Sequence, residues 1–303
     1  MENRCFQEVT QITTQRAIII SLRPKQWTKN LAVFAALLFS RTAGQFDRFV
    51  TVLAAFGVFC LLSGGVYVIN DLLDLERDRK HPLKRLRPIA SGRLPIPTAV
   101  LTACIAILIS IVGAAFLGRY FLYASIAYLI LQLAYSLSLK KLVILDVFSI
   151  AAGFVIRVIA GGVVISVEIS HWLLICTMLL SLFLALSKRR HELTSLDKEA
   201  VKHRQILSEY STGLLDQMTS IVTAATVVSY SQYTVDAVTV AKFGTNRLVY
   251  TVPFVLYGIF RYLYLVHQKH EGGSPDTALL TDGPLLTCVA LYIATVWLIL
   301  YRL

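Results

Sequence analysis

Long apolar runs alternate with short polar segments along most of the chain, and this pattern predicts membrane-spanning helices. Each run approaches the ~20 residues that cross a bilayer as an α-helix. Nine runs predict an all-α polytopic membrane protein; they fall near residues 30–42, 49–70, 96–117, 120–138, 143–165, 170–187, 217–238, 248–267 and 284–302. Because no polar linker separates two apolar blocks, we expect one integral membrane domain over 1–303, with 1–29 as a cytoplasmic or interfacial segment and 30–303 as the bundle.

Composition and charge support this class and predict an orientation. The 303 residues are 56% hydrophobic and 16% charged, and the mean hydropathy is +0.66, which excludes a soluble globular domain. With the N-terminus placed inside, 21 of the 29 Lys and Arg residues lie in internal segments and six in external ones. The positive-inside rule therefore predicts a cytoplasmic N-terminus in the inner membrane. We expect the lipid bilayer, and no nucleic acid, as a partner.

An acidic motif follows the second apolar run. It reads Asn-Asp-Leu-Leu-Asp-Leu-Glu-Arg-Asp over residues 70–78, with Asp71, Asp74 and Asp78 three and four positions apart. On a helix this spacing places the three carboxylates on one face. A cation would remove their repulsion, and Mg²⁺ takes carboxylate oxygens while keeping positions for substrate phosphate. We therefore expect the three aspartates, assisted by Asn70, to form a Mg²⁺–diphosphate site at the membrane surface.

Basic and polar residues in the internal segments are expected to surround this motif. Because guanidinium groups bind phosphate oxygens bidentately, we expect phosphate contacts from the bases around the motif and at the end of the sixth run: Arg77, Lys84, Arg85, Arg87, Lys188, Arg189 and Arg190. We expect polar residues at the ends of other runs to lie at the same membrane surface, where a cavity between the helices would open, and to orient the substrate at this cavity mouth: Lys25, Asn30, Tyr135 and Lys140. The alternative for a single base is a solvated, positive-inside loop that meets anionic lipid headgroups.

Two ionisable residues accompany the fifth apolar run. Asp146 and Arg157 share a helix face, and Arg157 lies roughly 16 Å deeper at 1.5 Å per residue. An arginine inside a membrane is costly unless it is paired or lines a polar cavity. We expect both residues to contribute to a substrate cavity, and a structural ion pair is the alternative for Arg157.

The chain resembles the UbiA superfamily of intramembrane prenyltransferases along nearly its whole length. The resemblance rests on the Asn-Asp-x-x-Asp-x-x-x-Asp motif at 70–78, on Arg-Pro-Ile-Ala-Ser-Gly at 87–92, and on Tyr135 with Lys140. This superfamily implies nine transmembrane helices around a cytoplasm-facing cavity that opens sideways to lipid.

One branch, the decaprenyl-phosphate phosphoribosyltransferases, is more similar, and segments 23–30, 146–162 and 187–192 carry that similarity. Aromatic prenyltransferases of the superfamily have a second Asp-rich motif after the sixth helix, where this chain has Lys-Arg-Arg at 188–190. The branch implies Mg²⁺-dependent transfer of 5-phosphoribosyl from phosphoribosyl diphosphate to a polyprenyl phosphate. The alternatives are a prenyltransferase that joins a prenyl diphosphate to an aromatic or other acceptor, and, from a different class, a transporter or lipid-binding membrane protein.

Overall fold

The architecture is helical throughout the part of the chain that the structure describes. The structure is a computed structural model and describes residues 13–40, 44–195, 205–269 and 281–301. In chain order the α-helices are α1 (Thr14–Ser21), α2 (Ala35–Leu38), α3 (Phe46–Leu73), α4 (Leu75–Lys80), α5 (Ile96–Leu117), α6 (Arg119–Leu137), α7 (Leu145–Val164), α8 (His171–Ser195), α9 (Thr212–Val235), α10 (Ala237–Phe243), α11 (Val252–Gln268) and α12 (Gly283–Tyr301). Five 3₁₀ segments accompany them: Pro24–Phe34, Lys84–Leu86, Leu139–Lys141, Gln205–Glu209 and Arg247–Thr251.

Seven helical segments in those ranges are long and apolar enough to cross a membrane. They are Phe46–Leu73, Ile96–Leu117, Arg119–Leu137, Leu145–Val164, His171–Thr194, Arg247–Gln268 and Gly283–Leu300. Each corresponds to one of the predicted spans, and many of their large apolar side chains face outward, as lipid contact requires. The chain is therefore an integral membrane protein, and the predicted total of nine spans stays a prediction.

The first predicted span differs from the expectation of an α-helix over 30–42. The chain instead forms the 3₁₀ segment Pro24–Phe34 and then the short helix α2. A 3₁₀ helix has three residues per turn, so Asn30 and Val33 lie on one face of the segment, and both are buried. The seventh predicted span forms α9, which is rich in Ser and Thr and falls outside the seven most apolar segments.

Close backbone approaches position the 3₁₀ segment and α3 against their neighbours. A Cβ atom at Gly161 of α7 would lie 1.9 Å from the carbonyl oxygen of Val33, so only glycine permits α7 to meet the 3₁₀ segment here. A Cβ atom at Gly65 of α3 would lie 2.9 Å from Ile107 of α5. Small residues allow membrane helices to pack this closely, and the acidic end of α3 is thereby held within the bundle.

Candidate active site

The acidic motif lies where α3 ends, and the chain breaks its helix within the motif. Helix α3 ends at Leu73, Asp74 has a non-helical backbone (φ −95°, ψ 7°), and α4 begins at Leu75. The break turns Asp74 away from a continuous helical face. Asp71 and Asp78 are buried, whereas the Asp74 side chain is 20% exposed. The three carboxylates therefore form two neighbouring groups rather than the single face that their spacing predicts.

Two arginines join the first group of carboxylates. The guanidinium of Arg87 donates from one nitrogen, Nη1, to Asp71 Oδ1 at 2.9 Å and to Asp78 Oδ2 at 2.6 Å. Arg23 donates to the same Asp71 oxygen and lies over the ring of Tyr67, 5.1 Å from its centroid. Asp71 and Asp78 therefore converge on one cationic nitrogen, with a second guanidinium beside it.

A lysine from another loop joins the second group. The Nζ atom of Lys140, in the 3₁₀ segment after α6, donates to both carboxylate oxygens of Asp74 at 2.9 and 2.8 Å and to Asn70 Oδ1 at 3.3 Å. Arg77 lies farther out, 3.6 Å from Asp74, with 66% of its side chain exposed. The structure thus brings the predicted residues Asn70, Asp74 and Lys140 together across 70 positions of sequence.

The oxygen atoms of the two carboxylate groups are chemically suited to act as ligands of a hard divalent cation. All of them are carboxylate or amide oxygens, and in each group they already converge on a positively charged nitrogen. Oxygen ligands of this kind suit Mg²⁺. Among the residues that the structure describes, no group of three or more His, Cys, Asp or Glu side chains is spaced to hold one ion. A single centre formed by all three aspartates therefore stays a prediction.

A buried arginine lies deeper in the bundle. Arg157 of α7 is 3% exposed and donates to three neutral acceptors: Asn30 Oδ1 at 2.8 Å, the Gly153 carbonyl at 2.9 Å and the Tyr128 hydroxyl at 2.7 Å. Asn30 in turn donates to Ser63 Oγ of α3 at 3.1 Å. Ser63 precedes Asn70 by seven residues, which is roughly 10 Å along the helix. The guanidinium therefore places a positive charge beneath the acidic motif, held by neutral groups.

Asp146 and Arg189 form a second, fully buried charge cluster at the junction of α7 and α8. Arg189 Nε lies 3.3 Å from Asp146 Oδ2, and the side chains are 3% and 0% exposed. Tyr210 donates its hydroxyl proton to Asp146 Oδ1 at 2.8 Å and accepts from the Ile144 amide at 2.7 Å. Burial raises the pKa of Tyr210 to about 12. This geometry gives Asp146 and Arg189 a structural role, and substrate binding by either stays a prediction.

The Tyr210 contacts also hold an unusual backbone conformation in place. Ile144 has φ +68°, a left-handed conformation that is strained for a β-branched residue. The residue lies between the 3₁₀ segment that carries Lys140 and the start of α7. The hydrogen bond from its amide to Tyr210 therefore fixes the turn that presents Lys140 to Asp74.

The other predicted residues lie around this mouth with varied exposure. Lys25 and Arg85 are exposed, and Lys84, Tyr135 and Lys188 are half-buried. Arg190 is paired with Asp216 of α9, with Nε 2.5 Å from Oδ1. The predicted roles of these six residues in phosphate binding or substrate orientation stay predictions.

Arg23, Tyr128 and Tyr210 join these networks although they were not among the predicted site residues. Arg23 precedes Pro24 and adopts φ +53°, and its position beside a conspicuous basic and aromatic segment was the only signal in the sequence. Tyr128 and Tyr210 carry no local signal, since their partners are 29 and 64 positions away.

Comparison with known proteins identifies the family. The model of the UbiA prenyltransferase family matches residues 30–281. A decaprenyl-phosphate phosphoribosyltransferase from Corynebacterium glutamicum is 36% identical over 277 residues, which cover 88% of this chain and 81% of that protein. One from Mycolicibacterium smegmatis is 32% identical, with 94% of this chain and 92% of that protein covered. The chain belongs to the UbiA prenyltransferase family, and its enzymatic relatives make it a transferase.

Solved structures confirm the family fold. A UbiA homologue from Archaeoglobus fulgidus bound to GPP and Mg²⁺ superposes with a TM-score of 0.71 at 20% identity, covering 94% of this chain and 99% of that chain. The same homologue bound to DMAPP and Mg²⁺ gives a TM-score of 0.72 at 19% identity, with the same coverage. At this level of identity the likeness establishes the fold alone.

Proposed function

We propose that the protein transfers the 5-phosphoribosyl group of phosphoribosyl diphosphate to a polyprenyl phosphate of the decaprenyl type, releasing diphosphate. The observation that carries this proposal is the pairing of each carboxylate group with bases from distant segments, Arg23, Arg87 and Lys140. Such a mouth offers both acids for a cation and bases for phosphate oxygens. The named activity of the relatives from C. glutamicum and M. smegmatis supports the same reaction.

The acidic residues suit the diphosphate end of the donor. Asp71, Asp74 and Asp78, with Asn70, would hold Mg²⁺, which neutralises charge on a diphosphate leaving group. A cation at the carboxylates would free Arg87 and Lys140 from their ion pairs. Their N–H groups could then donate to phosphate oxygens of the donor, where charge-assisted hydrogen bonds are strongest. We therefore assign these two bases to the diphosphate.

In this reaction the protein positions the two substrates and stabilises developing charge, and it does not need to transfer a proton. The bond between C1 of ribose and the diphosphate oxygen breaks, positive charge develops at C1 and the ring oxygen, and an oxygen of the lipid phosphate forms the new bond from the opposite face. Because that phosphate is already ionised at neutral pH, no general base is needed. Preorganised charged groups stabilise such a transition state most effectively in a site that excludes water.

The remaining bases suit the other two phosphates. A phosphoribosyl donor brings a 5-phosphate and the acceptor brings a lipid phosphate, so the site must receive more negative charge than a prenyl diphosphate carries. The basic segment 188–190 occupies the place where an acidic motif would serve a prenyl diphosphate. Because Arg189 is buried against Asp146, we assign the phosphate contacts of this segment to Lys188 and Arg190. Arg157 adds a buried positive charge with neutral partners beneath the motif. We place this mouth at the cytoplasmic face, where the positive-inside rule locates its bases.

The test is phosphoribosyl transfer by purified protein in detergent. We would supply radiolabelled phosphoribosyl diphosphate, polyprenyl phosphate and Mg²⁺, and measure label in the organic phase with and without EDTA. Lipid-linked label that EDTA abolishes is the expected result. Absence of label, together with consumption of a prenyl diphosphate and an aromatic acceptor by the same preparation, would replace this proposal with aromatic prenyl transfer.

A further inference from the structure

A cavity of about 320 Å³ lies at the end of the bundle opposite the acidic motif. Helix α7 begins next to the 3₁₀ segment that carries Lys140, and its 20 residues rise roughly 30 Å, about the thickness of the hydrocarbon core. The loop that follows α7 therefore reaches the other membrane surface, where it forms one wall of the cavity. We call this feature the distal cavity, and its lining includes Phe39, Glu168, Trp172, Tyr233, Asp236 and Lys242.

The loop wall of the distal cavity has a defined conformation. Ser166 has φ +53°, and the amide of Val167 donates back to the carbonyl oxygen of Gly162 at 3.0 Å. A Cβ atom at Gly162 would lie 2.5 Å from the side chain of Ile169, so glycine is needed for the loop to fold back over the end of α7. The wall is thus formed by the chain itself, as is usual for small-ligand sites.

The distal cavity combines one base with two acids. Lys242 of α10 donates from Nζ to the carbonyl oxygen of Glu168 at 3.5 Å, which is longer than a typical hydrogen bond. Partial burial lowers the pKa of Lys242, and the charge of the nearby Glu168 carboxylate opposes this shift. Asp236 accepts from the Thr239 amide at 3.1 Å and caps α10. The cavity therefore offers an ammonium for an anionic group and two carboxylates for a cationic one.

Aromatic rings line another part of the distal cavity. Phe39, Trp172 and Tyr233 come from three separate segments, and the rings of Phe39 and Tyr233 meet edge to face with centroids 5.9 Å apart. Aromatic side chains at the ends of membrane helices lie at the level of the lipid head groups. They also attract an ammonium group that lies over a ring face. The cavity thus suits a ligand found at that level of the membrane.

We propose that the distal cavity binds the head group of a zwitterionic phospholipid with a primary ammonium, of the phosphatidylethanolamine type. The phosphate pairs with Lys242, and the ammonium pairs with Glu168 and Asp236 beside the aromatic rings. Two acids next to one base favour a lipid that brings its own cation over an anionic lipid. This inference does not depend on the proposed function, because the cavity and the acidic motif lie at opposite ends of the bundle.

The test is lipid binding by the full chain in detergent. We would measure Kd by isothermal titration calorimetry for short-chain phosphatidylethanolamine and for short-chain phosphatidylglycerol, which has the phosphate but no ammonium. The unmodified protein should bind phosphatidylethanolamine about 10-fold more tightly, a factor that one charge-assisted hydrogen bond supplies. Equal Kd values for the two lipids would overturn the proposal.

Two substitutions separate the contacts with the ammonium and the phosphate. Glu168→Gln should raise Kd about 10-fold for phosphatidylethanolamine and leave that for phosphatidylglycerol within about 2-fold, whereas Lys242→Met should raise both by about 10-fold. Asp47→Asn and Arg247→Met are the matched controls, because both residues lie near this end of the bundle and neither lines the cavity. The controls should leave both Kd values unchanged.

The remaining outcomes decide whether the cavity is the site and whether a lipid is the ligand. Binding of phosphatidylethanolamine that neither Glu168→Gln nor Lys242→Met weakens would overturn the assignment of the cavity. Free phosphoethanolamine that binds as tightly as the lipid would overturn the lipid assignment and make a soluble zwitterion the ligand. If Lys242→Met does not fold, as judged by its Tm, Lys242→Gln applies the same comparison.

Discussion

Two charge clusters built from the same residue types lie side by side at one end of the bundle, and they differ in exposure. At the acidic motif, Arg87 and Lys140 are 28% and 12% exposed, and each bridges two acceptor groups. At the junction of α7 and α8, Asp146 and Arg189 are 0% and 3% exposed, and Tyr210 donates a hydrogen bond to one oxygen of the carboxylate. The first cluster is open to a ligand, and the second is enclosed by protein.

This difference separates ion pairs that a substrate can exchange from ion pairs that hold the fold. A pair near solvent contributes little to stability, so a cation or a phosphate can replace either partner at small cost. A buried pair cannot be opened without leaving an uncompensated charge. We therefore assign chemistry to the acidic motif and a scaffold role to Asp146 and Arg189, and the predictions below test that division.

The largest expected effect is the loss of stability in Asp146→Asn. The substitution keeps the shape and an oxygen that can accept from Tyr210, but it removes the anion beside the buried Arg189. Breaking a buried pair in this way costs about 3–5 kcal/mol, which corresponds to a lower Tm by roughly 5–15 °C. The measurement is thermal unfolding in detergent. An unchanged Tm, with a raised KM for substrate, would instead place Asp146 in the binding site.

Asp74→Asn should have the opposite profile, with loss of activity and a retained fold. Removing a charged group that stabilises the reacting centre costs about 10²–10³-fold in rate. Because Asp74 is 20% exposed, we expect the Tm to fall by no more than a few degrees, as for other partly exposed pairs. Glu76→Gln is the matched control, since Glu76 is 78% exposed and pairs only with Arg79 among its described contacts. Near-normal turnover in Asp74→Asn would contradict the metal assignment.

The membrane-spanning helices were largely predictable from the sequence. Apolar runs located most spans closely; the run at 96–117 coincides with Ile96–Leu117, and that at 120–138 differs by one residue at each end from Arg119–Leu137. Hydrophobicity determines a lipid-facing helix locally, so such spans are readable from one sequence. The 3₁₀ segment Pro24–Phe34 was missed because its form depends on contact with α7, including the approach of Val33 to Gly161.

The candidate site was predictable in composition but not in pairing. The spacing of the motif pointed to acids and bases that the structure brings together. It also placed the three carboxylates on one helical face, because a regular spacing does not reveal the break at Asp74. Arg87 and Arg189 look alike in sequence, as bases after an apolar run. Only the fold distinguishes them, because burial of Arg189 depends on Asp146 and on the packing of α7 against α8.

Tyr210→Phe should sharpen the comparison by linking the two clusters. The variant leaves the Ile144 amide and Asp146 Oδ1 without their partner, which costs about 1–3 kcal/mol. If Tyr210 also positions Lys140 through the strained turn, its loss should lower the rate several-fold in the wild-type background and have no further effect on rate in Lys140→Met. The measurement is kcat in a double-mutant cycle. Equal fold-losses of kcat in both backgrounds would show that Tyr210 does not act through Lys140, and an unchanged kcat with a lower Tm would show that it acts on stability alone.

The smallest effect is expected at a third ion pair, Arg261 with Asp282, whose exposure resembles that of the pairs at the acidic motif. The guanidinium donates to the two carboxylate oxygens at 3.1 and 2.8 Å, and the side chains are 27% and 10% exposed. Asp282 also accepts from the Leu285 amide at the start of α12. Asn can cap a helix as Asp does, so Asp282→Asn removes the charge and keeps the cap. We expect a loss of about 1 kcal/mol or less.

The pH dependence of this loss identifies its cause. The hydrogen bonds from Arg261 hold the pKa of Asp282 below its usual range. A carboxyl group whose pKa is lowered by folding adds stability above its unfolded pKa of about 3.9, and that stability disappears as pH falls through the folded value. The difference in Tm between wild type and Asp282→Asn should therefore be constant above about pH 5 and shrink as the pH falls below about 4. A difference in Tm that persists unchanged at lower pH would mean that Asp282 stabilises α12 through its cap geometry and not through its charge. The exposure of the side chains would then not determine how much these three ion pairs contribute to stability.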